Sequence, residues 1–324
     1  MQLINISAAE MILYRLQALG VEFIFINSGT DYPPMVEAYS RLKSEGRLVP
    51  EFVVCPHENA AIGMAHGYYL ATGKVQAVMV HTNVGLANAA CGIINLANSN
   101  IPVIIFGGRT PISEHSHFGC RNTPIGYGQE MRDQAAMVRE SVKWDFELRY
   151  ADQAGEHVDR AWAIANSLPK GPVYLSLPRE PLCETFATDS AALSCRPSQQ
   201  PISFSPSPDS LSMAATLIAN ARHPVIFSQR GARTRQAFDL ISTFVEQWAI
   251  PVVEYWGTEV TISAAHPMYA GNEPAYWLSK ADVVIVIDSQ APWMIESMNV
   301  NPDCKVIQIG PVSYTHLTLP TSDL

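Results

Sequence analysis

The sequence predicts an α/β protein made of two doubly wound domains with mostly parallel sheets. Three observations carry that expectation. Short apolar runs alternate with helix-periodic segments up to about residue 183, a segment at 184–208 loses both periodicities, and the alternation resumes over 209–310. A chain of 324 residues that is 48% hydrophobic is long enough to bury two such cores.

Ser7 and Glu10 form a capping box at the head of the periodic run Ala8 to Leu19, and Gly20 suits the left-handed position that ends a helix. VEFIFIN (21–27) reads as a strand covered on both faces, and the turn SGTDYPP sets Pro33 and Pro34 at a helix start. Strands are expected next at EFVVC (51–55), QAVMV (76–80), PVIIF (102–106) and PVYLSL (172–177), with helices over 57–71, 84–97, 128–140 and 153–167. Residues 1–183 then form the first domain. Residues 184–208, dense in Ser, Pro and Gln, read as a linker. Beyond it, helices are expected near 209–221 and 234–248, and strands at 224–229, 251–255, 282–288 and 305–310.

A net charge of −9 and the lack of any Lys/Arg block argue against nucleic acid as a partner. The six cysteines are scattered without a CxxC pair, so reduced thiols are expected in place of disulfides or zinc. There is neither a basic leader nor a run of roughly 18 apolar residues, so no membrane association and a cytoplasmic location are expected.

Phosphate-loop signatures fail: GYYLATGK (67–74) is one residue too long and has Val75 where Ser or Thr would hold magnesium, and no GxGxxG follows either leading strand. No GxSxG elbow occurs, and His115 and His117, two apart on a polar loop, read as solvated side chains before metal ligands. The informative residues are few. Glu58 heads the otherwise small and apolar stretch ENAAIGMAHGYY, and an unpartnered buried carboxylate costs several kcal/mol. His81 and Thr82 end a strand, Gly85 opens the next helix, and Thr30 lies in a strand-end turn. One acid, one imidazole and a helix N-terminus at strand carboxyl ends suit acid–base chemistry, while cap and turn roles account for each residue about equally well.

HENAAIGMAHGYYLATGK, HTNVGLANAACGIINLANSNIPVIIFGG and KGPVYLSLPRE together resemble the pyrimidine-binding domain of thiamine diphosphate enzymes of the acetolactate synthase, benzoylformate decarboxylase and pyruvate decarboxylase group. The resemblance covers residues 1–180 and, more loosely, 206–310. It implies thiamine diphosphate and Mg2+ as cofactors, a 2-oxo acid as substrate, decarboxylation or carboligation as the reaction, and a homodimer or homotetramer. It also implies that Glu58 hydrogen-bonds N1′ of the cofactor's aminopyrimidine and so promotes loss of the thiazolium C2 proton. His81 matches an active-site histidine of benzoylformate decarboxylase-like members, Thr30 a position beside the substrate, and Gly85, Asn88 and Gln129 positions near the cofactor. Tyr127-Gly128 ahead of Gln129, and Arg109 where synthases have glutamine, depart from the acetolactate synthase pattern. SQAPWM (289–294) replaces the arginine-containing motif of FAD-binding members, so FAD is not expected.

The family holds the cofactor's diphosphate and magnesium on a third domain marked by GDG and NN, and neither occurs in this sequence. The resemblance therefore implies that the diphosphate-binding domain is absent, that no metal ligand lies in this chain, and that the chain is inactive by itself. Residues 311–324, PVSYTHLTLPTSDL, lack periodicity where the fold calls for a helix and are expected to be a non-native tail. The rival expectation is a non-catalytic α/β binding or regulatory protein without the third domain.

Overall fold

A computed structural model describes residues 3–27, 29–193 and 205–310. The chain divides into two units, residues 1–202 and 203–324. The expected tail from Pro311 and the middle of the expected linker lie outside the described residues.

The first unit begins with β1 (Leu3–Ser7) and α1 (Ala8–Ala18). The capping box forms: Glu10 N donates to Ser7 Oγ at 3.2 Å and Ser7 N to Glu10 Oε2 at 2.8 Å. There follow β2 (Phe23–Asn27), α2 (Pro33–Ser44), β3 (Glu51–Val54), α3 (Glu58–Thr72), β4 (Gln76–Val80), α4 (Thr82–Asn98) and β5 (Val103–Arg109). The unit closes with α5 (Ile125–Gly128), β6 (Asp145–Glu147), α6 (Ala154–Asn166), β7 (Val173–Pro178), α7 (Arg179–Cys183) and β8 (Thr185–Asp189). Six strands make one parallel sheet in the order β3-β2-β4-β5-β7-β6. Its middle strands are buried on both faces, with Val78, Met79, Val80, Ile104, Ile105 and Phe106 all at 0% exposure, which is why they read as unbroken apolar runs.

The order of that sheet locates the site. From β2 the chain moves outward to β3, then returns past β2 to β4. The carboxyl ends of β2 and β4 thus flank a topological switch point, the place where doubly wound sheets bind ligands.

β1, β6 and, in the second unit, the short helix Ala275–Leu278 were not among the expected elements, and two further segments differ from what was expected of them. No helix spans 128–140: α5 stops at Gly128, and 3-10 turns at Ala135–Met137 and Arg139–Ser141 follow. Tertiary bonds override the local propensity there, since Gln134 is buried and donates to Gly108 O and Tyr174 Oη at 2.8 Å each, and Glu130 is drawn to Arg109 and Arg121. Residues 185–189, inside the segment read as linker, form β8, which pairs antiparallel with β1 from Leu3↔Asp189 to Ser7↔Thr185.

The second unit contains α8 (Pro208–Asn220), β9 (Pro224–Ser228), α9 (Arg235–Trp248), β10 (Val252–Val253), α10 (Ala275–Leu278), β11 (Val283–Ile287) and β12 (Lys305–Ile309). Its parallel sheet runs β10-β9-β11-β12. At its strand ends Asp288 binds Arg233 at 2.6 Å and Arg230 at 3.2 Å.

Candidate active site

Glu58 is the first residue of α3 and is not its cap. His57 takes that role, its Nδ1 accepting from Asn59 N at 3.1 Å. This places the Glu58 carboxylate at a helix N-terminus, where the backbone dipole favours an anion, yet leaves the residue only 7% exposed. Asn88 Nδ2 of α4 donates to Oε2 at 3.1 Å. No bond to Oε1 is made by the described residues, and Gly85 stands beside it: a Cβ at 85 would lie 3.1 Å from that oxygen. Gly85 itself sits within the first turn of α4, which starts at Thr82 and not at Gly85 as expected. An open carboxylate oxygen next to a position without a side chain can accept a hydrogen bond from a protonated ring nitrogen.

His81 directly follows β4 as the N-cap residue of α4, and its ring is bonded at both nitrogens. Nδ1 lies 2.5 Å from Asp31 Oδ1, and Nε2 lies 3.2 Å from the amide nitrogen of Gln129 just after α5. Asp31 follows β2, so the pair bridges the switch point. Its second oxygen accepts weakly from Thr82 N at 3.4 Å. Thr82 is buried at φ 42°, a left-handed conformation that costs a β-branched residue about 1–3 kcal/mol and recurs at functional sites. Two glycines make room for the pair: a Cβ at Gly29 would overlap the His81 ring, and a Cβ at Gly108 would overlap the Asp31 carboxylate.

The hydrogen bond to Asp31 raises the His81 pKa against the opposing effect of burial. Stability from protonated His81 is therefore fully present below the free-histidine value of about 6.5 and is lost as pH rises through the higher folded value. Melting curves between about pH 6 and 9 should show Tm falling across that window more steeply than for His81→Gln; parallel curves would contradict it. Tyr32 is buried, and its pKa is raised well above the ordinary value by burial first and then by Asp31 and Glu58, so the phenol stays neutral between the two acids.

The expected site residues fall into two adjoining clusters. Glu58, Gly85 and Asn88 make one; the other centres on His81, which bonds Gln129 directly at Nε2 and Asp31 at Nδ1. Thr30 enters neither by its side chain. It is exposed, its carbonyl accepts from Arg179 at 3.4 Å, and it lines a small cavity with Asp31, Thr82, Arg121, Gln129 and Arg179. Arg109 binds Glu130 at 2.9 Å and also Glu147, and Arg121 binds Glu130 at 2.8 Å. Burial would raise the Glu130 pKa, but Arg109, Thr110 and Arg121 outweigh it and hold the carboxyl below its ordinary value. Sequence reasoning passed over Asp31, because an acid before Tyr-Pro-Pro looks like a turn former. The available signal was its place at a strand end opposite His81. Among the described residues His115 bonds its neighbour Ser116, at 2.8 Å, and no group of three or more His, Cys, Asp or Glu side chains able to hold a metal occurs.

Residues 6–137 match the family model described as the N-terminal TPP-binding domain of thiamine pyrophosphate enzymes, and residues 211–316 match the model of their central domain. The chain is 25% identical over 262 residues to the acetolactate synthase large subunit of Haemophilus influenzae, covering 76% of this chain and 41% of the relative. It is 25% identical over 240 residues to the oxalyl-CoA decarboxylase of Escherichia coli K12, covering 74% of this chain and 41% of that protein. It thus spans less than half the length of these relatives. The solved structure of the thiamine diphosphate-dependent 4-hydroxybenzoylformate decarboxylase of Rhodococcus jostii RHA1 superposes with a TM-score of 0.79 at 22% identity, over 95% of this chain and 57% of that one, which shows a shared fold. Among the described residues no helix is long and apolar enough to cross a membrane.

Proposed function

Because the chain belongs to the thiamine pyrophosphate enzyme family, we propose that it supplies the pyrimidine-facing part of a site that decarboxylates 2-oxo acids or joins them to a second carbonyl compound. The observation that supports this reading most is Glu58, a buried carboxylate with one oxygen held by Asn88 and the other open beside Gly85. Those residues fit the aminopyrimidine side of thiamine diphosphate. The bound cofactor supplies the electron sink that 2-oxo acid decarboxylation requires.

The protein's own part is to hold and move protons. Asn88 fixes the carboxylate's rotation through Oε2, so Glu58 Oε1 would be the atom to accept a hydrogen bond from the pyrimidine ring nitrogen, and Gly85 would leave space for the ring. His81 exchanges a proton at Nε2, since Nδ1 is committed to Asp31. Thr30 and Gln129 are assigned to the wall facing substrate and cofactor. Mg2+, the ligands of the diphosphate and a homo-oligomeric assembly belong to the same proposal, as does a location in the cytoplasm. The presence of His81 favours protonation as the outcome over capture by a second carbonyl.

The test is to give the protein, in the length its gene encodes, thiamine diphosphate, Mg2+ and a panel of 2-oxo acids, measuring both carbon dioxide and acetolactate-type products. Carbon dioxide from at least one acid is expected. Cofactor binding with no release from any of them would favour a non-catalytic binding protein instead.

A further inference from the structure

The mechanism above uses Asp31 only as the group that engages His81 Nδ1, although the fold makes unusual provision for it. Asp31 is 3% exposed, it meets His81 Nδ1 at 2.5 Å, and two strand-end glycines lack the side chains that would displace one partner or the other. A carboxylate can only accept, so Nδ1 must be the donor. With that proton fixed, neutral His81 receives the Gln129 amide N–H at Nε2; when Nε2 takes up a proton, the amide has to turn its oxygen to the ring.

We propose that Asp31 is a positioning residue for His81: it selects the Nδ1–H tautomer and leaves Nε2, opposite Gln129, as the one atom through which the imidazole gains or loses a proton. The role as proton carrier rests on the function proposed above, whereas the tautomer follows from the geometry alone. The titratable and charged groups packed about the pair are Tyr32 beside Asp31 and Glu58 at the start of α3. Arg121 and Arg179 line the adjoining cavity, and Arg109 at the end of β5 is committed to Glu130 and Glu147. Among the described residues only Asp31 bonds Nδ1. Thr82 N reaches its second oxygen, which fills the room that Gly108 leaves, so the carboxylate is held through both oxygens.

Histidine-selective 1H–15N correlation spectra of the whole chain, recorded across a pH series without cofactor or substrate, test this. Wild-type His81 should show Nδ1–H with unprotonated Nε2 above its midpoint. Asp31→Asn, which keeps the side chain's shape, should move the midpoint to lower pH and abolish the tautomer preference. A wild-type protein with His81 in the Nε2–H form overturns the proposal whether or not the variant folds. So does a folded Asp31→Asn with unchanged midpoint and tautomer. In the active holoenzyme, Asp31→Asn should lower kcat by about 10²–10⁴-fold and shift the His81-dependent limb of the pH profile to lower pH. A Nδ1–H signal in a protein that turns over no 2-oxo acid would leave the positioning intact and sink the function reading instead.

Discussion

Replacing Glu58 by Gln is expected to lower 2-oxo acid turnover by about 10²–10⁴-fold while leaving the melting temperature nearly unchanged. The variant is nearly isosteric, so the packing between α3 and α4 survives. Asn88 Nδ2 needs an acceptor and will hold the glutamine carbonyl oxygen where Oε2 now lies. The amide NH2 is then left on the Gly85 side, where it presents a donor to a ring nitrogen that also donates. Glu58→Asp should lose activity too, since the shorter side chain withdraws its oxygens from the space beside Gly85. The comparison is kcat for carbon dioxide release at saturating cofactor. Full rate in Glu58→Gln would show that this carboxylate does not carry the chemistry.

Gly108→Ala should destabilise the first unit by about 3–5 kcal/mol, the range seen when a buried charged pair is broken. The added methyl would occupy the place of the Asp31 carboxylate. Gly108 lies in the middle of a parallel sheet, bonded along its edge to β7, and its carbonyl accepts from buried Gln134 at 2.8 Å, so the strand cannot retreat. Asp31 must therefore leave His81 and Thr82 N together. At roughly 2–4 °C per kcal/mol for a unit of this size, the melting temperature should fall by about 6–20 °C. Gly63→Ala is the control. That exposed helix position has nothing within 4 Å of a built Cβ, and alanine there should be neutral or stabilise by up to about 1 kcal/mol. Equal melting of Gly108→Ala and wild type would mean that Asp31 is not confined as described.

Elements whose burial is decided by their own sequence were legible. β4 and β5 announce themselves as apolar runs, and α1 announces its start through Ser7 and Glu10. Elements that exist because of a distant partner were not. β6 has three residues and is held by β7, and β8 looks like polar linker until β1 pairs with it. The segment after Gly128 had helical periodicity, but Gln134 and Glu130 were claimed by the sheet and by two arginines. The site divides in the same way. Glu58 and His81 stand out as titratable groups at strand ends in small, apolar surroundings. Asp31 does not, since its confinement depends on what β5 lacks at Gly108, a fact about three dimensions.

The β1–β8 ladder has a consequence for handling the first unit as an object. Leu3 faces Asp189, so the start of β1 and the end of β8 lie side by side at one end of a two-stranded ribbon. Ends so placed can be rejoined by a short loop at little entropic cost, or spliced into a surface turn of another protein as a cassette. The same arrangement sets its mechanical weak point, because tension applied at both ends would open the ribbon one rung at a time before it loaded the six-stranded sheet.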